Sequence, residues 1–211
     1  MSEADRQRQR SGLSAKADQI LRAATQVFMD QGYGAASMDT VARRAGVSKA
    51  TVYAHFSSKE QLFAAIVRGE CRRHARAMAA PDIAASGVED ALYRIGENFL
   101  HFILTPRSLA IFRVVIAESP RFPELGRIFY ESGPAIISGE LSAHLAGMAR
   151  AGRLDVDDPA LAAEQFFGML RGNLRLRCLL GEPADVSDAG IERAVRAAVA
   201  AFLRAYAPTA P

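Results

Sequence analysis

The stretch SMDTVARRAGVSKATVYAHFSSKEQLF, from Ser37 to Phe63, decides the fold of this chain. Ser37 is a typical N-cap residue, and the apolar residues after it recur at spacings of three and four, as in a helix that buries one face. Gly46 interrupts this pattern, because a tight turn between helices needs a residue that tolerates positive φ. Ser48 can cap a second helix. The stretch therefore predicts two short helices joined by a turn.

Three residues within this stretch have the spacing of a helix-turn-helix. Ala42 allows two helices to approach closely, Gly46 makes the turn, and Val52 fills the space between the helices. In such a unit the second helix enters the major groove of DNA. The spacing therefore predicts a DNA-reading unit.

A third helix follows the helix-turn-helix. Either Ser57 with Glu60 or Ser58 with Gln61 can supply its capping box. Its helical pattern continues to about Met78, which is longer than a DNA-binding domain needs. We therefore expect it to connect to the next domain.

Another helix precedes the helix-turn-helix, beginning at Ser14 and ending near Gly32–Gly34. Its apolar stripe predicts packing onto the helix-turn-helix in a three-helix core. Residues 1–13 before it are polar and include three arginines. They form either a disordered basic arm that orders on DNA or a solvated tail. The stripe is Ile20, Ala24, Val27 and Phe28, and the arginines are Arg6, Arg8 and Arg10.

Together these residues resemble the N-terminal signature of the TetR family of transcriptional regulators. The resemblance is dense from about Ala15 to Val67 and is specific in residue identity and spacing. It implies a helix-turn-helix DNA-binding domain at residues 14–67 and a helical ligand-binding and dimerisation domain at residues 68–207. The matching positions are Thr40, Val41, Ala42, Ala45–Ser48, Thr51–Tyr53, His55, Phe56 and Lys59–Leu62.

Helical periodicity continues through the rest of the chain, and no β-type alternation competes with it. Residues 79–87, rich in small residues, read as a connection. Further helices are predicted at residues 88–104, 109–117, 123–149 with an interruption at 133–134, 160–180 and 188–206. The predicted fold class is all-α.

The composition of the 211 residues excludes several classes of protein. Half the residues are apolar and 23% are charged, which is globular rather than disordered. No apolar run has the length of a membrane span, and residues 1–30 lack the apolar segment of a signal peptide. The sequence therefore predicts a soluble, cytoplasmic protein. Cys71 and Cys178 stand alone, as buried free thiols or, alternatively, as a redox switch.

The net charge of +3 lies entirely beside the helix-turn-helix. Residues 1–60 contain nine Lys and Arg against six Asp and Glu, whereas residues 61–211 contain seventeen of each kind. Positive charge at this end would attract phosphates. The distribution supports contact with double-stranded DNA.

The second helix of the unit has the side chains that base recognition needs. Lys49 can donate to guanine O6 or N7, Ala50 can contact a thymine methyl group, and Thr51 can serve a base or a phosphate. Ser48, at the start of this helix, completes the predicted reading surface. We expect these residues to lie at the major groove.

Other residues are predicted to hold the DNA backbone. Lys59 lies in the first turn of its helix, where a cation opposes the helix dipole by about 0.3–1 kcal/mol, and a nearby phosphate would explain it. Arg44 can contact a phosphate or be merely solvated, and His55 can contact a phosphate or pack beside Phe56. The backbone positions implied by the family resemblance are Thr40, Tyr53, His55 and Lys59.

A two-fold dimer is expected, because one such domain covers few base pairs and a dimer reads two half-sites of a palindrome. The predicted interface is the C-terminal helix pair, since residues 160–180 are apolar on several sides. The alternative is that both helices bury these faces within the subunit. The predicted interface residues are Gly168, Gly172, Ile191, Val195, Val199 and Phe202.

Residues 88–211 contain no catalytic or metal-binding motif, so neither an enzyme nor a cofactor is expected. The family resemblance implies a pocket in this domain for a small hydrophobic or aromatic effector, whose binding changes the spacing of the DNA-binding domains. Core packing is the alternative role for each residue. The predicted pocket residues are Phe99, Phe102, Phe112, Arg113, Phe166, Met169 and Asn173.

These observations favour a homodimeric repressor that a small hydrophobic ligand releases from a palindromic operator. One alternative is a DNA-binding activator, or a regulator without a small-molecule inducer. An alternative from another class is an all-α enzyme or carrier that uses a cavity in the C-terminal domain. The complete helix-turn-helix and the absence of a catalytic motif argue against an enzyme or carrier.

Overall fold

The computed structural model describes residues 3–78 and 87–208, with side chains described for residues 15–72 and 87–208. All regular secondary structure in these ranges is helical, which confirms the predicted all-α class. The helices are α1 (Glu3–Ala35), α2 (Met38–Ala45), α3 (Lys49–His55), α4 (Lys59–Met78), α5 (Val88–Ile103), α6 (Pro106–Glu118), α7 (Pro123–Ser132), α8 (Pro134–Arg150), α9 (Pro159–Arg171), α10 (Leu174–Leu180) and α11 (Asp188–Tyr206).

Contacts between residues divide the chain into two units. The first unit contains Met1–Gly69 and Ala110–Ser132, and the second contains Glu70–Leu109 and Gly133–Pro211. The predicted division at residue 67 assigned residues 110–132 to the second domain. In the structure they pack with the first unit, because Ile111 of α6 lines an apolar cleft with residues of α1 and α4.

Helix α1 begins at Glu3 rather than at Ser14. The segment between these residues contains no proline, so nothing in it forbids a helix. Gly32 adopts φ +76° and interrupts the helix where the sequence predicted its end. The predicted basic arm, residues 1–13, lies outside the side chains that the structure describes, and its role on DNA stays a prediction.

Helices α2 and α3 form the predicted helix-turn-helix. The side chain of Ser37 accepts a hydrogen bond from Thr40 N, and that of Ser48 accepts one from Thr51 N, both at 3.1 Å. Gly46 adopts φ +62°, the left-handed conformation that the turn requires. These capping and turn predictions are confirmed.

The start of α4 distinguishes between the two capping boxes that the sequence allowed. Ser58 Oγ accepts a hydrogen bond from Gln61 N at 3.2 Å. Gln61 Oε1 in turn accepts one from Ser57 N at 3.4 Å. The cap is therefore Ser58 with Gln61, and the returning bond goes to the residue before the cap.

An aromatic cluster forms the core of the first unit. The rings of Phe28, Tyr33 and Phe63 lie 5.6–5.8 Å apart between centroids. Phe122, just after α6, adds an edge contact with Tyr33 at 5.6 Å. Such pairs contribute about 0.5–1.5 kcal/mol each beyond the area they bury. The cluster joins α1 and α4 to the segment between α6 and α7.

In the second unit, α5, α9 and α11 pack around one core. Phe166 contacts Phe202 with ring centroids 5.2 Å apart. Gly96 of α5 permits the close approach, because a Cβ atom there would lie 3.0 Å from side-chain atoms of Leu170 and Val195. A larger residue at position 96 would require these side chains to shift by a few tenths of an ångström.

The helix predicted at residues 160–180 is divided in two. Asp158 caps its start as expected, with Oδ1 accepting from Ala160 N and Leu161 N at 3.0 Å. Gly172 then adopts φ +39° and ψ −135°, which ends α9 before α10 begins. Gly172 therefore ends α9, whereas the sequence pattern placed it inside a continuous helix.

Within the described ranges, no single helix is both long and apolar enough to span a membrane. Helices α5 and α6 together have the necessary length and composition, but they are bent by 67° at the break between them. No group of three or more His, Cys, Asp or Glu in those ranges could hold a metal ion. Cys71 is buried, which raises the pKa of its thiol to about 12, and Cys178 is half-buried. Cys71 is therefore a protonated thiol at neutral pH.

Candidate nucleic-acid interface

Helix α3 turns one face to the core and the other to solvent. Val52 is completely buried, whereas the neighbouring Tyr53 side chain is 52% exposed. The other residues of the predicted reading surface are exposed (Ser48, Lys49 and Ala50) or half-buried (Thr51 and His55). The structure thus brings these residues together on one accessible surface.

Hydroxyl groups at the starts of α2 and α3 are engaged with one another. Ser37 Oγ and Thr40 Oγ1 lie 2.9 Å apart, and Ser48 Oγ and Thr51 Oγ1 lie 2.8 Å apart. A hydroxyl can make more than one hydrogen bond, so either threonine can still contact an acceptor on DNA. Ser48 acts first as a helix cap, which fixes the orientation of α3.

Two cations predicted to contact DNA are paired with acids in the free chain. The Lys49 ammonium forms an ion pair with the Asp39 carboxylate, and Arg44 Nη2 donates to Asp30 Oδ2 at 2.6 Å. All four side chains are substantially exposed. Exposed pairs contribute about 0–1 kcal/mol, so neither pair adds much to the stability of the fold. Sequence reasoning did not identify these acidic partners.

Lys59 has a partner that the sequence prediction did not foresee. Its Nζ donates to the carbonyl oxygens of Tyr33, Gly34 and Ala36 at 2.8, 3.4 and 3.2 Å. It also lies 4.3 Å from the centroid of the Tyr33 ring. These carbonyls lie at the C-terminal end of α1, where a cation is favourable. This contact explains a lysine in the first turn of α4 without a phosphate.

Tyr33 completes the arrangement around Lys59. Its hydroxyl donates to Glu60 Oε1 at 3.1 Å. Burial, with the adjacent Glu60 carboxylate, raises the pKa of Tyr33. Hydrogen bonds from its own backbone N–H and from Ser58 lower the pKa of Glu60. Tyr33 was not among the predicted site residues, although it lies between two glycines that mark the end of α1.

His55 lies at the end of α3, and its side chain is half-buried. Its ring centroid is 6.2 Å from that of Phe56, and the ring planes are tilted by 38°. The imidazole is therefore close to the Phe56 ring while part of it remains accessible to solvent. Phosphate contact by His55 stays a prediction.

The structure buries most of the predicted dimer residues within the chain itself. Ile191, Val195, Val199 and Phe202 are at most 3% exposed, on the face of α11 that packs against α5 and α9. The alternative stated for these four side chains, burial within the subunit, is what the structure contains. Gly168 is exposed and would meet nothing within 4 Å if it carried a Cβ atom.

The predicted pocket residues are divided between the two units. Phe112 and Arg113 belong to the first unit, where the Phe112 ring lies 5.8 Å from that of Phe129. The remaining five belong to the second unit. Phe166 is fully buried, and Phe99 and Phe102 are nearly so, whereas Met169 and Asn173 are exposed. Core packing therefore accounts for Phe166, and a shared pocket for the whole set stays a prediction.

His144 of α8 was not among the predicted site residues. Its Nε2 is buried and has no hydrogen-bond partner among the described residues. Burial lowers the pKa of His144, and Arg153 lowers it further. The ring is therefore neutral at neutral pH. The only sequence signal is its place one residue before Leu145, on a helix whose Leu141, Leu145 and Met148 are buried.

Two family profiles match this chain, one in its N-terminal part and one in its C-terminal part. A family profile described as the AefR-like transcriptional repressor C-terminal domain matches residues 90–208, and one described as bacterial regulatory proteins, tetR family, matches residues 20–66. The HTH-type transcriptional activator FasR of Mycolicibacterium smegmatis is 46% identical over 80 residues, which are 38% of this chain and 32% of FasR. With FasR and two further curated regulators, the match spans 23–54% of the relative's length.

Solved structures match over nearly the whole chain. A TetR-family transcriptional regulator from Mesorhizobium loti is similar with a TM-score of 0.79 and 30% identity, covering 92% of this chain and 98% of that one. The flavonoid-responsive regulator FrrA is similar with a TM-score of 0.79 and 41% identity, covering 93% of this chain and 100% of FrrA.

Proposed function

The chain belongs to the TetR family of transcriptional regulators, and on this premise we propose that it is a homodimeric repressor released from a palindromic operator by a small aromatic ligand. The observation that carries the proposal is the exposed face of α3, supported by a completely formed turn and two capped helices. Repression is favoured because the profile that matches the C-terminal part is that of a transcriptional repressor domain.

In the proposed complex, α3 lies in the major groove. Lys49 and Ala50 contact base edges, Thr51 contacts a base or a phosphate, and Tyr53 donates its hydroxyl to a phosphate. Ser48 caps the start of α3 and so fixes the orientation of the helix in the groove. The outer positions Thr40, Arg44 and His55 contact the backbone. Lys59 contributes by holding α4 to the end of α1, which it does already in the free chain.

We propose that two subunits associate through exposed apolar side chains of α9 and α10. Leu176 and Leu180 are 54% and 70% exposed, and large apolar side chains exposed together are typical of interfaces. Gly168 on α9 leaves room for a neighbouring helix. We propose this surface as the dimer interface instead of the face of α11, which is buried within the chain. Its apolar members are Leu161, Met169, Leu176 and Leu180.

Replacing Leu176 and Leu180 together by Glu should convert the dimer to monomers. Both side chains point to solvent in the single chain, so the charges disturb the interface and not the core. Sedimentation velocity measures the change. Tyr130→Glu is the matched control, since Tyr130 is 58% exposed but lies on α7 in the first unit. A double variant that stays dimeric would contradict this interface.

The proposed effector is an aromatic molecule with hydroxyl groups, of the flavonoid class. FrrA, whose name describes it as flavonoid-responsive, shares 41% of its residues with this chain over its full length. The second unit contains the aromatic rings of Phe99 and Phe102. It also contains His144, whose Nε2 has no partner among the described residues and can bond to a phenolic hydroxyl. We therefore place the effector in the second unit.

Flavonoids should weaken operator binding, and the operator should weaken flavonoid binding by the same factor, because coupling between two sites is reciprocal. Operator candidates are palindromes in the DNA flanking the coding region. Calorimetric titration of a flavonoid panel into the protein, with and without operator, measures the coupling. A scrambled duplex is the control. Equal flavonoid affinities in both titrations would rule out the proposed release.

Activation is the second candidate function. FasR, the relative that is 46% identical over 80 residues, is described as an activator. Transcription from a promoter beside the bound operator separates the candidates. Deleting a repressor raises expression, whereas deleting an activator lowers it.

A further inference from the structure

The ion pair between Asp39 and Lys49 connects the two helices of the helix-turn-helix. Asp39 lies in the first turn of α2, and Lys49 is the first residue of α3. Their side chains are 50% and 65% exposed, so the pair lies on the surface and not in the core. Residues at the start of a recognition helix are those that reach base edges. Asp39 therefore places a negative charge beside a predicted base contact.

A carboxylate at this position is unfavourable for binding DNA in general. Sequence-independent affinity comes from cations that neutralise phosphates. A lysine that is paired with a carboxylate contributes little to it, because the pair is close to neutral. The carboxylate itself is repelled by phosphates at any site. The pair between Asp39 and Lys49 therefore lowers the affinity for DNA in general.

The same pair can favour binding at one sequence. Guanine presents O6 and N7 as acceptors in the major groove, and Lys49 can donate to both. An ammonium group has three donors, so it can keep Asp39 as a partner while it contacts guanine. The acid then restricts where the flexible side chain points.

We propose that Asp39 is a specificity-determining residue, which acts by holding Lys49 away from phosphates and directing it to a base edge. The inference rests on the proposed function, since it requires that α3 reads an operator. Asp39 is a positioning residue in this scheme, and Lys49 makes the contact. The expected consequence is weak binding to unrelated DNA.

Asp39→Asn removes the charge and keeps the shape of the side chain. We expect affinity for non-operator DNA to rise about three- to tenfold, while operator affinity changes less than the non-operator value. Discrimination between the two duplexes therefore falls. The salt dependence of non-operator binding should steepen, by up to about one in the slope per bound subunit, because Lys49 gains a phosphate. Fluorescence anisotropy at several salt concentrations measures both quantities, and a thermal melt verifies folding.

A second acid on the same unit provides the matched comparison. Asp30 pairs with Arg44, which is predicted to contact a phosphate and not a base. Asp30→Asn should therefore raise affinity for both duplexes alike and leave their ratio unchanged. Asp39→Asn in a Lys49→Met background should have no effect on the ratio, since Lys49 is the group through which Asp39 acts.

The outcomes separate this inference from the proposed function. A wild-type protein that does not distinguish operator from other DNA overturns the proposed function, and the inference with it. If the wild type does discriminate, two results overturn the inference alone. One is an Asp39→Asn variant that discriminates as well as the wild type. The other is a loss of discrimination that is equally large without Lys49.

Discussion

Lys59→Met should lower the free energy of unfolding of the protein by about 2–4 kcal/mol. The ammonium group donates to three carbonyls at the end of α1, and hydrogen bonds to charged groups are worth about 1.5–3 kcal/mol. The cation–π contact between Lys59 and the Tyr33 ring adds about 0.5–2 kcal/mol. Methionine keeps the length of the side chain but leaves those carbonyls without the cation. Chemical denaturation followed by circular dichroism measures the change.

Lys16→Met is the control for this prediction. Lys16 lies on the exposed surface of α1, where substitutions usually change stability by less than about 0.5 kcal/mol. The comparison also decides between two roles for Lys59. A Lys59→Met protein as stable as the wild type, but unable to bind operator, would assign the ammonium group to a phosphate and contradict the structural role.

Tyr53→Ala should weaken operator binding by about 100-fold and leave the stability of the protein unchanged. Tyr53 is exposed beside the buried Val52, so its side chain adds little to the core. A hydroxyl bonded to a charged phosphate contributes about 1.5 kcal/mol or more, and a dimer loses two such bonds. Fluorescence anisotropy with a labelled operator measures the loss.

Tyr53→Phe tests whether the hydroxyl carries this effect. The ring remains and only the donor is lost, so operator affinity should fall nearly as far as in Tyr53→Ala. Full affinity in Tyr53→Phe would show that the ring packs against the DNA and that no bond to phosphate is needed. Unchanged affinity in both variants would place Tyr53 outside the interface.

The helix-turn-helix could be predicted closely because its signals are local. Ser37 and Ser48 bond to backbone N–H groups three residues ahead, and Gly46 adopts the turn conformation that its missing Cβ allows. Each of these features depends on residues within one helical turn. Sequence spacing is therefore sufficient to place them, together with the exposed face of α3.

The features that could not be predicted depend on residues distant in sequence. Lys59 bonds to carbonyls more than twenty residues earlier, and the apolar face of α11 packs on α5 of the same chain. Periodicity identifies a face that is buried but does not identify what covers it. Gly172 carried a local signal, since glycine commonly ends a helix, but the apolar residues after it favoured one continuous helix.

The return of residues 110–132 to the first unit affects how a growing chain becomes folded on the ribosome. Gly69 is synthesised well before Ser132, and at about 5–20 residues per second the delay is about 3–13 seconds. During that interval Phe63 and Ile66 lack the cover that Ile111 and its neighbours later provide. A nascent chain halted before residue 110 therefore displays an apolar surface to chaperones that the finished protein conceals.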